Sequence, residues 1–258
     1  MSATAAIKRL PQKLAPNGVL DVVVQFLLFS AVYYTYRITR GAVDTPDGAV
    51  VAFQNARDLI SIEQSTKLFF EVPVQSATEA FRPLLDLASM IYLNAQTTVT
   101  FGALIYIYLA HNDRYYFVRN MMITAMVIAL VGYILYPVAP PRYFWEWGFH
   151  DSVAEFTGID QHQVKVNALY NPYAAVPSMH CANAIMLGLT LAQIVKNRPA
   201  RIFWAAYPAI MFWVVVSTGN HWVLDAVLGA LTAAVSYSVA TALARTRPTV
   251  WAFSPARA

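Results

Sequence analysis

Three ionisable side chains stand in apolar stretches of this sequence and could together perform acid–base chemistry. His221 and Asp225 are four residues apart in STGNHWVLDAVLGA, so a helix would place them on one face, one turn apart. An Asp in that position accepts the ring proton of the His, fixes its tautomer and stabilises the imidazolium. Taken alone, the pair fits a structural hydrogen bond and a catalytic one equally well.

The third side chain, His180, lies in NPYAAVPSMHCANA. Pro177 ends a loop there and Ser178 is a good helix N-cap, so we expect His180 in the first turn of a helix. Arg142, in YPVAPPRYF, follows another apolar stretch. If these stretches cross a membrane, residues far apart in the chain meet at one of its surfaces.

This set of side chains favours phosphoryl transfer. An arginine and the N–H groups of a helix start can hold a phosphate. A neutral histidine held by a carboxylate is a nucleophile at neutral pH, and a second histidine can protonate the departing oxygen. Two His and one Asp could instead bind Zn or Fe, but the sequence lacks HExxH-like spacing. A transporter or scaffold with a His/Asp proton relay is the alternative from another class.

The composition places these residues in a membrane protein. The chain has 258 residues, of which 58% are hydrophobic and 12% charged, whereas soluble domains have about 25% charged residues. These figures exclude a soluble domain and a disordered chain. The single cysteine, Cys181, excludes an internal disulfide and a thiolate zinc cage. The formal charge of +4 is sorted between loops, so we expect no nucleic-acid partner.

Crossing the bilayer as a helix takes about 20 apolar residues. We predict an all-α, polytopic six-helix membrane bundle that forms a single domain over residues 1–258. The predicted spans are about 19–37, 84–109, 117–136, 177–195, 201–217 and 222–243. Asn94, Gln96, Thr97, Thr98 and Thr100 predict a polar stripe of the second span that faces the bundle.

Loop charge predicts the orientation. With the N-terminus in the cytoplasm, eleven of the eighteen Lys and Arg residues lie on that side, as the positive-inside rule requires. Both termini are then cytoplasmic, and segments 38–83 and 137–176 are extracytoplasmic. We expect the protein in the plasma or inner membrane. Within the first segment, the helical pattern of about 48–70 is too polar to span and predicts an interfacial helix. The second is a long catalytic loop whose aromatics, from Tyr143 to Phe149, resemble an interfacial belt.

Two motifs resemble the type 2 phosphatidic acid phosphatase superfamily. PSMH (177–180) is similar to its second signature, and GNHWVLDAVLG (219–229) is similar to its third. PPR (140–142), AAVPSMH and TGNHWVLD look closest to the branch containing fungal inositol phosphorylceramide synthase and bacterial relatives. The resemblance covers residues from about 90 to 240.

The resemblance implies a role for each site residue. His221 would form a phosphohistidine, Asp225 would orient it, and His180 would serve as acid and then base. Arg142 and Ser178 would hold the phosphoryl oxygens. Further substrate contacts would come from Lys165 and Asn220. The family needs no metal ion, so no cofactor is expected.

The substrate implied is a lipid phosphate or phospholipid, with a polyol such as inositol as acceptor. Hydrolysis of a lipid phosphate, such as phosphatidic acid or a polyprenyl phosphate or diphosphate, is the alternative reaction. Two family cations are missing, because Val215 stands where the third signature has an arginine and Leu135 where the first has a lysine. Other cations, such as Lys165, could substitute for them.

Overall fold

The fold is built from helices, as the sequence predicts. A computed structural model describes residues 14–42, 46–158 and 171–255. Within these residues the chain forms helices and no β-strand. The α-helices are α1 (Val19–Ala42), α2 (Pro46–Ser65), α3 (Glu71–Glu79), α4 (Arg82–Ala110), α5 (Asn112–Leu135), α6 (Ser152–Thr157), α7 (Met179–Ile194), α8 (Arg198–Ser217) and α9 (Val223–Thr246).

Four of these helices are long and apolar enough to cross a membrane. The qualifying segments are Val19–Thr39, Asn112–Leu135, Arg198–Ser217 and Val223–Thr246. The chain is therefore an integral membrane protein. The other two predicted spans correspond to α4, which polar residues interrupt, and to α7, an apolar helix of 16 residues. Their crossing of the bilayer stays a prediction.

The polar stripe predicted on α4 is only partly correct. Gln96 and Thr100 face inward, but Asn94, Thr97 and Thr98 are exposed. The reason is helical spacing, because Tyr92, Gln96 and Thr100 are each four residues apart and so share the inner face of the helix.

The helix predicted over about 48–70 ends before the end of that range. α2 ends at Ser65, and Lys67 then adopts a left-handed backbone with φ +60°. The N–H of Leu68 donates to the carbonyl of Glu63 at 2.7 Å, which closes the turn. α3 follows and brings a second set of side chains back toward α9.

The segment after α5 is folded onto the bundle. It contains two short 3-10 turns, Pro141–Tyr143 and Trp145–Trp147, followed by α6. The predicted aromatic belt is wrong for Phe144 and Phe149, because both are buried against Trp222. Trp145, in contrast, is exposed. These rings anchor the segment that carries Arg142 to the start of α9.

A glycine allows α9 to approach α7 closely. A Cβ at Gly229 would lie 2.5 Å from the carbonyl oxygen of Ser178. The backbone N–H of Ser178 also donates to the carbonyl of Asp225 at 3.0 Å. The starts of α7 and α9 therefore lie side by side at one end of the bundle.

The opposite end is held by a buried polar network. Asp21 accepts hydrogen bonds from the hydroxyls of Tyr108 and Tyr116, at 2.7 and 2.8 Å. Arg119 donates to the carbonyls of Trp251 and Ala252, at 2.7 and 2.9 Å. This network ties the segment after α9 to α1, α4 and α5.

Candidate active site

His221 and Asp225 are in contact at the start of α9. The sequence pattern predicts that both residues lie on one helix. The helix begins at Val223, however, so only Asp225 lies on it and His221 precedes it. The Nδ1 atom of His221 lies 3.2 Å from Oδ2 of Asp225. The same oxygen accepts the N–H of Trp222 at 3.0 Å. Asp225 is fully buried, so this carboxylate fixes both the imidazole ring and the helix start.

His180 faces His221 from the neighbouring helix. It lies in the first turn of α7, and Ser178 is the N-cap, accepting the N–H of Cys181 through its hydroxyl at 3.4 Å. The predictions that Ser178 is the N-cap and that His180 lies in the first helical turn are confirmed. The ring of His180 stacks on Tyr92, with centroids 4.4 Å apart, and its centroid is 5.6 Å from that of His221. A single reacting group can therefore touch both imidazoles.

Arg142 is held rigidly at the same place. Its Nη1 donates to Oδ1 of Asn220 at 2.5 Å, and its Nε lies 3.5 Å from Oδ2 of Asp151. The guanidinium also covers the ring of Tyr143, 4.8 Å from the centroid. Because 96% of the side chain is buried, the guanidinium presents its remaining N–H groups in a fixed direction.

Backbone geometry places Arg142 beside the loop of residues 218–222, which carries His221. Its N–H donates to the carbonyl of Gly219 at 2.8 Å. Gly219 has φ +66°, and a Cβ there would lie 3.1 Å from the carbonyl oxygen of His150. Glycine thus serves both the left-handed turn and the close approach.

Four of the predicted site residues line one cavity of about 100 Å³: Arg142, His180, Asn220 and His221. Ser178 and Asp225 lie behind this wall, fully buried. Lys165 lies outside the residues that the structure describes.

Several cavity residues were not identified from the sequence. Asn183 is one turn along α7 from His180, and its Oδ1 has no hydrogen-bond partner among the described residues. Arg37 of α1 also lines the cavity. Tyr92 lines it too, and its spacing of four residues from Gln96, which the sequence predicts to face inward, could have indicated its position. By contrast, no sequence signal brings α1 to this site.

Val215 and Leu135, which stand at the positions of the two missing family cations, lie in different surroundings. Val215 is fully buried, and its carbonyl oxygen accepts the N–H groups of Asn220 and His221, at 3.1 and 3.2 Å. Leu135 is 75% exposed on the outside of the bundle. Neither side chain provides a positive charge at the cavity.

Comparison with known proteins identifies the family. The family model of the PAP2 superfamily, the type 2 phosphatidic acid phosphatases, matches residues 57–239. No curated protein and no solved structure gives a significant match. The matched residues form most of the chain and include Arg142, His180, His221 and Asp225. The chain belongs to the PAP2 superfamily.

Proposed function

We propose that this protein is a membrane phosphotransferase that acts on a lipid phosphate or phosphodiester through a phosphohistidine at His221. Membership of the superfamily suggests phosphatase or phosphotransferase activity on lipid phosphates. The observation that carries the proposal is the pair of imidazoles, 5.6 Å apart beside the buried Arg142, with Asp225 behind His221.

In the first step, Nε2 of His221 attacks phosphorus while Asp225 accepts the hydrogen bond from Nδ1–H. The P–N bond forms and the P–O bond to the leaving group breaks. His180 donates its proton to the departing oxygen. The carboxylate stabilises the positive charge that develops on the His221 ring.

In the second step, the neutral His180 takes the proton of the acceptor hydroxyl as that oxygen attacks phosphorus. The P–N bond breaks, and His221 leaves as a neutral imidazole. The charge on the phosphoryl oxygens is balanced by Arg142, which Asn220 orients. Ser178 and Lys165 are proposed as further phosphate and substrate contacts, and no metal ion is required.

The acceptor is proposed to be a polyol of the inositol type, as in the inositol phosphorylceramide synthase-like branch. The cavity beyond His180 supports this proposal, because Gln96, Thr100 and Asn183 line it with amide and hydroxyl groups. An acyl chain would leave these groups without partners. If water takes the group instead, the protein is a lipid-phosphate phosphatase.

We further propose one membrane domain with six spans, both termini in the cytoplasm and α2 lying at the extracytoplasmic interface. The site residues would then face the extracytoplasmic side of a plasma or inner membrane. Two features support this arrangement: six long or apolar helices coincide with the six apolar stretches, and Lys and Arg are sorted between loops.

The test is covalent labelling of purified protein with a phosphorylated lipid donor. We expect the wild type to be labelled, and His221→Ala to lose both labelling and turnover. His111→Ala is the matched control, since His111 lies at the opposite end of α4. Turnover that persists in His221→Ala would exclude this nucleophile.

The same assay, run with and without inositol, separates transfer from hydrolysis by the product formed. EDTA should leave the rate unchanged. Inhibition that one divalent ion reverses would support the metal interpretation. Absence of turnover on every lipid phosphate would favour the proton-relay transporter.

A further inference from the structure

Two glutamates that the proposed mechanism does not use are fully buried next to the start of α9. Glu63 comes from the last turn of α2 and Glu71 from the first residue of α3. Both side chains have no exposed surface. Burying a carboxylate without a donor is strongly unfavourable, so the contacts of each oxygen decide what this pair does.

One oxygen of each glutamate caps α9. Oε1 of Glu71 accepts the N–H of Val223 at 2.8 Å, and Oε1 of Glu63 accepts the N–H of Leu224 at 2.7 Å. These are the first two N–H groups of the helix, which have no partner inside it. The N-cap residue, Trp222, has no side-chain oxygen that could accept them. Two other helices therefore provide the acceptors for these two N–H groups, which the side chain of Trp222 cannot supply.

The other two oxygens indicate a shared proton. Oε2 of Glu63 and Oε2 of Glu71 are buried, and neither has a donor among the residues that the structure describes. The two carboxyl groups lie close together, because they accept the N–H groups of the neighbouring residues Val223 and Leu224, and a hydrogen bond between the two side chains contributes to the raised pKa of Glu63. A single proton between them satisfies both oxygens and leaves the pair with one negative charge. One charge suits the positive end of a helix dipole, whereas two adjacent buried anions would repel each other.

The electrostatics agree with this assignment. Burial raises the pKa of Glu63 to about 9, with further contributions from its hydrogen bond to Glu71 and from the charges of Glu71 and Asp225. The charged groups that act on Glu63 are thus both carboxylates. The raised pKa means that Glu63 keeps a proton at neutral pH and loses it only in alkaline solution.

We propose that Glu63 and Glu71 are positioning residues that share one proton and hold the start of α9, so that His221 and Asp225 face each other for catalysis. The N–H groups of residues 222, 223 and 224 are then each fixed by a different carboxylate. His221 directly precedes this set. This role rests on the proposed function, because it concerns the geometry of the same nucleophile.

Glutamine substitutions distinguish a shared proton from two independent caps. In Glu63→Gln or Glu71→Gln, the amide oxygen accepts the backbone N–H and the amide nitrogen donates to the remaining carboxylate. In the double variant, two amide nitrogens face each other and neither finds an acceptor. We expect each single variant to keep kcat within about threefold and the double variant to lose about 100-fold in kcat, since slight misplacement of reacting groups has effects of that size.

KM should change little in all three variants, because the phosphate contacts are intact. The matched control is D58N/E79Q, which makes the same chemical change at exposed positions of the same two helices and should behave as the wild type. A folded double variant with the kcat of the wild type would overturn the proposal. A single variant as impaired as the double variant would do so too.

Two further measurements use only the single variant Glu63→Gln. The first, a kcat profile, applies if the double variant does not fold, and the second, an infrared spectrum, applies also if no lipid phosphate is turned over. The alkaline limb of the kcat profile should move to higher pH in Glu63→Gln, which has no shared proton to lose, and an unmoved limb would overturn the proposal. Infrared difference spectra of wild type and Glu63→Gln at neutral pH should show one protonated carboxyl that the variant lacks. That band is independent of turnover, so its absence overturns the shared proton, whereas inactivity on lipids alone contradicts only the proposed function.

Discussion

Oδ2 of Asp225 accepts the backbone N–H of Trp222 at 3.0 Å and lies 3.2 Å from Nδ1 of His221. One oxygen thus orients the imidazole and caps the helix that follows it. The other oxygen, Oδ1, is buried without a hydrogen-bond partner among the described residues. These two roles can be separated by substitution.

Asp225→Asn should preserve the cap but lose most of the activity. An amide oxygen in the place of Oδ2 keeps both hydrogen bonds, whereas the charge that stabilises the developing imidazolium is gone. We expect kcat to fall by about 10²–10⁴-fold, with a thermal midpoint close to that of the wild type. Asp225→Ala should also lose about 1 kcal/mol of stability through the missing cap. Exposed Asp113→Asn is the control, and wild-type turnover in Asp225→Asn would contradict the role of the charge.

Arg142→Lys should not rescue Arg142→Ala. The guanidinium uses separate nitrogens for Asn220 and Asp151 and lies over the ring of Tyr143. A lysine amine offers one point charge and cannot form these contacts and hold a phosphate at the same time. We expect KM for the lipid phosphate to rise at least about tenfold in both variants. A lysine variant with the wild-type KM would show that charge alone is sufficient.

Arg37 is expected to supply part of the positive charge that the family places at the positions of Val215 and Leu135. It lines the cavity from α1. Arg37→Gln should raise KM for the lipid phosphate about tenfold, the usual size of a charge-assisted contact, and change kcat less. Arg57→Gln, at an exposed position of α2, is the control. Equal changes of KM in the two variants would show that Arg37 acts through the overall positive potential of the protein and does not contact the phosphate.

The sequence predicted the parts of the site that obey local rules. Ser178 as an N-cap, His180 in the first helical turn, and the contact between His221 and Asp225 all depend on neighbours in the chain, although His221 precedes the helix on which the sequence placed it. The helix positions followed from the length of apolar stretches in the same way. What these rules could not give is the acceptors for the first two N–H groups of α9, because these come from Glu63 and Glu71 in other helices rather than from the residues before α9.

Tertiary contacts explain the remaining misses. Phe144 and Phe149 have the composition of a membrane-interface belt, but Trp222 gives them a core to pack into. Arg37 lies more than 100 residues from every other residue with a proposed catalytic role, and only the packing of α1 brings it to the cavity. Such placements depend on which helices become neighbours, which periodicity within one helix does not encode.

Asn183 should decide whether an alcohol or water accepts the phosphoryl group. Its buried Oδ1 lines the cavity and has no partner among the described residues, so a polyol hydroxyl that donates to it gains a hydrogen bond. Leucine has a similar shape but no acceptor. In Asn183→Leu we expect the ratio of inositol transfer to hydrolysis to fall about tenfold, the discrimination that one unsatisfied buried polar group provides.

Lipid consumption without inositol should stay within about threefold of the wild type in the same variant, because Asn183 makes no contact with the His221–Asp225 pair in this scheme. Product ratios from labelled lipid measure both quantities in one experiment. Asn94→Leu, an exposed position of α4, is the matched control and should leave the ratio unchanged. An equal loss of transfer and hydrolysis in Asn183→Leu would assign Asn183 to the fold of α7, since only a side chain that touches the acceptor can lower one product and spare the other.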